Sequence, residues 1–69
     1  MMTFTKYRAA VLKIFWPKAQ EFLGMRKRDI INHENFKPSA IDNLCATYWK
    51  YDDPISACVD NLLSYIRKV

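Results

Sequence analysis

Glycine is nearly absent from this chain: Gly24 is the only one in 69 residues. A loop that cradles phosphate needs several glycines, so nucleotide binding of that kind is excluded. Histidine is equally scarce. His33 stands alone beside Glu34, with no serine or cysteine at a spacing that suggests a proton relay, and a lone histidine in a polar connector reads as ordinary surface. The two cysteines, Cys45 and Cys58, are too few for a disulfide framework. Together with His33 they would give three ligands, where structural zinc takes four and usually draws them from close cysteine pairs. No metal and no cofactor is expected. Asp52 and Asp53 are adjacent carboxylates, but helix capping accounts for Asp53 and turn chemistry for Asp52. Nothing here predicts an enzyme.

Long apolar runs are missing too. No stretch approaches the roughly 18 apolar residues that a membrane span needs. The run from Ala9 to Trp16 is broken by Lys13, and no small-residue cleavage site follows it. A cytoplasmic protein is the expectation. Phe4, Val11, Phe15 and Trp16 could lie on a membrane surface, but a chain this short needs its apolar residues for a core.

What is present is helical periodicity. Apolar residues make up 51% of the chain, which favours an ordered single domain over residues 1–69. Ile55, Cys58, Val59, Leu62, Leu63 and Ile66 recur at i, i+3, i+4, i+7, i+8 and i+11, one stripe on a helix. Asp53 is placed to cap that helix, and Pro54 suits its first position. Upstream, Ile41, Leu44, Cys45 and Tyr48 form a second stripe. There Ser39 and Asp42 have the spacing of a capping box. Both cysteines fall inside stripes and read as reduced, buried small hydrophobes. Tyr51-Asp52-Asp53 joins the two helices into an α-hairpin.

The N-terminal half divides less cleanly. Phe4, Tyr7, Val11 and Ile14 define a first helix, with Thr3 or Thr5 as its cap. Pro17 predicts that this helix stops or kinks near Phe15. A second short helix then runs from Pro17 to Gly24, whose freedom at positive φ suits a helix C-cap. Another short helix is expected within 25–33, and a connector over 32–37. The fold is predicted to be an all-α bundle of four to five short helices, with the C-terminal hairpin as its firmest pair.

Charge is uneven. The net charge is +4. Residues 1–28 carry Lys6, Arg8, Lys13, Lys18, Arg26, Lys27 and Arg28 against Glu21 alone, whereas residues 38–69 are slightly acidic. A basic front half could track phosphates, and Lys6, Lys13, Lys18, Arg26, Lys27 and Arg28 are the candidate nucleic-acid contacts. The hairpin is a poor reading head, however. A recognition helix meets DNA with its N-terminal end, and this one begins beside Asp52 and Asp53. Protein binding is the preferred reading. Trp16, Tyr48, Trp49 and Tyr51 are of the types that carry interface energy, and Asp52 could orient a basic partner, such as a DNA-binding regulator. The expected function is that of a small non-enzymatic regulator, an inhibitor, antirepressor or adaptor. The alternative is a small DNA- or RNA-binding regulator. Homo-oligomerisation is left open.

Overall fold

The computed structural model describes residues 2–69. It contains four α-helices, α1 (Phe4–Leu23), α2 (Lys27–Ile31), α3 (Pro38–Lys50) and α4 (Ile55–Tyr65), and a closing 3₁₀ turn, Ile66–Lys68. There is no strand among the described residues. The predicted all-α bundle is the observed architecture. Helices α3 and α4 form the hairpin, α1 lies against both, and α2 packs on α1.

Helix α1 begins as its sequence suggests. The Thr3 hydroxyl accepts from the Lys6 N–H at 3.2 Å, occupying one of the first-turn donors that have no partner within the helix. The expected break at Pro17 does not occur, and the two short helices foreseen on either side of it are one helix of 20 residues. Pro17 removes a hydrogen bond to the carbonyl of Lys13. Both residues are exposed, so water can meet that carbonyl. The buried face meanwhile continues unbroken past the proline through Phe15, Trp16 and Ala19. Packing on that face outweighs the local cost. The helix ends where predicted, at Gly24, with φ +63° and the Met25 N–H bonded back to the Gln20 carbonyl.

Two expected caps do not form. Ser39 lies inside α3, and the residue before its first turn, Lys37, makes no side-chain cap. The Tyr65 hydroxyl instead accepts from the Lys37 N–H at 2.7 Å. At the other junction, Pro54 occupies the cap position of α4 and Asp53 makes no side-chain cap. Asp53 belongs to the end of α3. Its N–H bonds the Tyr48 carbonyl at 2.9 Å, and the Asp52 N–H bonds the Trp49 carbonyl at 3.0 Å. These are the two bonds of a Schellman motif. Its left-handed position is filled by Asp52 at φ +55°.

The core draws on every helix. Tyr7, Val11, Phe15, Trp16 and Ala19 of α1 meet Ile41 and Cys45 of α3 and Cys58, Val59 and Leu62 of α4. Ile30, Phe36 and Ile66 close the far end, and an aromatic chain runs from Phe15 through Trp16 and Phe36 to Tyr65. Ile14, expected on the first helix's apolar stripe, is exposed. Each step of four along α1 turns the buried face by about 40°, and burial follows Tyr7, Val11, Phe15 and Ala19 away from it. No helix among the described residues is long and apolar enough to cross a membrane.

Candidate functional site

The corner between α3 and α4 is held from three directions. The Tyr7 ring is buried, and its hydroxyl donates to the Asp53 carbonyl at 2.9 Å. Burial first, and then nearby Cys58 and the carboxylate of Asp53, push this phenol up to about 12. It stays protonated and donating across the physiological range. The Trp49 indole N–H donates to the Met2 carbonyl at 2.7 Å, and its ring packs edge-on against Phe4 with centroids 5.6 Å apart. The Tyr48 hydroxyl accepts from the Asn61 amide. Tyr48 and Trp49 are therefore half-buried joints between α3, α4 and the N-terminal segment.

Tyr51 and Asp52 are what the corner leaves outside. Tyr51 is 69% exposed, the most exposed large apolar side chain in the described residues. Its ring lies 6.0 Å from the Lys50 ammonium, and Asp52 beside it is exposed. Of the five residues expected to bind a partner, these two stand free at the surface. Trp16 is not the protruding anchor its place before Pro17 suggested. It is buried to 9% exposure between Phe15 and Phe36, with the Lys27 ammonium 5.1 Å above its ring. Because α1 continues through Pro17, Trp16 stays on the inward face.

The basic residues do not gather into one surface. Lys6 and Lys13 are exposed on the outward face of α1, seven residues and so about 20° apart around the helix. Lys18 lines a groove between α1 and α4. Lys27 lines a different groove, with Arg8, Trp16 and residues of α2 and α3. Arg26 pairs with Asp29 on its own short helix at 3.2 Å, and Arg28 is exposed. Arg8 pairs with Asp42 across α1 and α3 at 2.5 Å, an exposed pair of the sort worth 0–1 kcal/mol.

Cys45 and Cys58 are free and fully buried, with their Sγ atoms 3.9 Å apart. Burial pushes both thiols up, Cys58 to about 12, which disfavours the reactive thiolate. His33 Nδ1 accepts from the Asn35 N–H at 3.1 Å and so shapes the connector before α3. Among the described residues, no group of three His, Cys, Asp or Glu side chains is placed to hold a metal ion.

The sequence reading passed over the α1–α4 groove. Its signal was available, since Ile14, Lys18 and Phe22 follow each other at intervals of four. Phe22 was assigned to a separate helix beyond Pro17, and that division hid the spacing. The chain matches no protein-family model, no curated protein and no solved structure. Its function has to be read from its own chemistry.

Proposed function

We propose that this chain is a small non-enzymatic regulator that binds another protein through the α3–α4 corner, with Tyr51 as the anchor and Asp52 as the orienting charge. One observation carries the reading. Two helices end in left-handed residues, and the chain fills the two positions differently. At the end of α1 the residue is Gly24, which adopts φ +63° without strain. At the end of α3 it is Asp52, at φ +55°. A glycine there would serve the fold better, because a side chain in that conformation costs energy that asparagine and aspartate reduce but do not remove. Strain retained at an exposed residue supports a role outside the fold. That role is to keep a carboxylate beside the most exposed aromatic of the protein.

The corner is also tied down on both sides of Tyr51. Tyr7 holds the Asp53 carbonyl after it, and the Tyr48 and Trp49 side chains before it are hydrogen-bonded to Asn61 and to the Met2 carbonyl, which supports an anchor that loses little freedom on binding. The carboxylates of Asp52 and Asp53 suit a basic partner surface, such as that of a DNA-binding regulator. Direct nucleic-acid binding is the weaker reading, because the basic side chains are spread over separate grooves and faces.

Salt dependence and substitution together test this. Partner protein captured from host lysate after nuclease treatment should remain bound at moderate salt, and Tyr51→Ala should release it. A binding activity that disappears with nuclease, or that falls steeply with salt and depends on Arg26, Lys27 and Arg28, would replace protein docking with phosphate contact.

A further inference from the structure

We infer a second docking surface at the opposite end of the molecule, a groove between α1 and α4 shaped for an acidic amphipathic helix of a partner protein. Five large apolar side chains are substantially exposed among the described residues. Two of them, Ile14 at 42% and Phe22 at 56%, lie eight residues apart on α1 with Lys18 midway. The two steps of four cover about 12 Å and turn about 80° around the helix, so Lys18 and Phe22 reach the groove and Ile14 lies beyond it. Lys18, Glu21 and Phe22 line a groove of about 340 Å³, with Leu63 and Arg67 supplied from the α4 side.

Charge selects the occupant. The two ion pairs of the described residues are Arg8–Asp42 and Arg26–Asp29, so neither Lys18 nor Arg67 is in a contact ion pair, and with Glu21 the groove's lining keeps an excess of positive charge. The Arg67 guanidinium lies 5.9 Å from the Phe22 ring, placing a cation on the apolar floor itself. An apolar floor of Phe22 and Leu63 between two unpaired cations complements a segment with leucine-like anchors on one face and carboxylates beside them. A cleft between two helices takes such a segment as a helix. The apolar floor of Phe22 and Leu63 disfavours a phosphate backbone. Along α1, Phe22 lies about 27 Å from Phe4 and the α3–α4 corner. The groove therefore stands or falls independently of Tyr51 and Asp52.

The test is an NMR titration of the full isotope-labelled chain with three probes. One is a designed amphipathic helix of leucine and glutamate, the second its leucine–lysine counterpart, and the third a short single-stranded oligonucleotide. The glutamate peptide should shift amides of residues 14–23 and 60–68 and leave 50–53 unmoved. Phe22→Ala, at a side chain more than half exposed, should fold normally by circular dichroism and weaken the peptide at least tenfold. Lys18→Glu with Arg67→Glu should weaken it as much and admit the lysine peptide. The groove is overturned if the glutamate peptide fails to bind at millimolar concentration, if its shifts fall elsewhere, or if Phe22→Ala has no effect. Preference for the oligonucleotide, or self-association of the chain through Phe22 in sedimentation, overturns it equally. Loss of partner binding by Tyr51→Ala with the groove intact, or the reverse, separates the two surfaces.

Discussion

Replacing Tyr7 with phenylalanine removes one oxygen from the interior and tests how the α3–α4 corner is held. The ring is 5% exposed and stays in place, so packing is kept. What is lost is the 2.9 Å hydrogen bond to the Asp53 carbonyl, with the Pro54 carbonyl a more distant 3.4 Å. A typical net hydrogen bond is worth about 0.5–1.5 kcal/mol, and an acceptor left unmet inside adds to the cost. These carbonyls are only partly buried, so water can reach them, and about 1 kcal/mol is expected. In a domain of this size that is roughly 4–8 °C in Tm.

The pH dependence supplies a separate signature, of the burial of the same hydroxyl. The folded pKa of Tyr7, about 12, lies above its ordinary value of 10. A raised pKa means that the fold holds the proton more tightly than the unfolded chain does. The contribution is therefore complete below pH 10 and is lost as pH rises from 10 towards 12. The phenylalanine variant lacks this titration. Urea unfolding followed by tryptophan fluorescence should show a gap of about 1 kcal/mol at pH 7–9 that closes above pH 10. Equal stability at pH 7 would show that Tyr7 does not hold the corner, and a gap indifferent to pH would show that its hydroxyl is not buried.

Other substitutions follow from burial and backbone. Leu62→Ala or Ile66→Ala, both at side chains with no exposure, should cost about 2–5 kcal/mol. That is a large part of the stability of so small a domain, and a melt unchanged in both would mean the stripe is not core. Cys58→Ala should cost about 1–2 kcal/mol as a buried side chain shortened. Wild-type stability should not respond to reductant, and a native mass two units low would contradict reduced thiols. Gly24→Ala meets no neighbouring atom within 4 Å, so its cost should be conformational alone, about 1 kcal/mol by chemical denaturation.

The periodic parts of the chain were legible because they depend on spacing alone. The stripes around Cys45 and Cys58, the Thr3 cap and the Gly24 terminus all stand where the sequence puts them. Pro17 was misread because the local cost of proline is visible in sequence, whereas the packing of Phe15, Trp16 and Ala19 that overrides it is not. The same error carried Trp16 to the surface and concealed the groove beside Phe22. The caps failed for a related reason. Ser39 and Asp53 have the right chemistry, but Tyr65 reaches Lys37 from 28 residues away, and the end of α3 claims Asp53 for its own carbonyls. Long-range partners leave no mark in a local pattern. Of the five residues expected to bind a partner, Tyr51 and Asp52 are the ones whose side chains stand exposed, and their exposure has no signature in the local pattern.

Asp52→Gly tests the docking corner most directly, because fold and function should respond in opposite directions. Glycine relieves the left-handed strain, so the variant should be more stable than wild type by about 0.5–1 kcal/mol. A photo-crosslinking benzoylphenylalanine in place of Tyr51, irradiated in host cells, should give a protein adduct of defined mass. In the Asp52→Gly background that adduct should fall sharply even as the melting temperature rises. An adduct to nucleic acid, no adduct at all, or full adduct yield in the more stable variant would contradict a docking role for the α3–α4 corner.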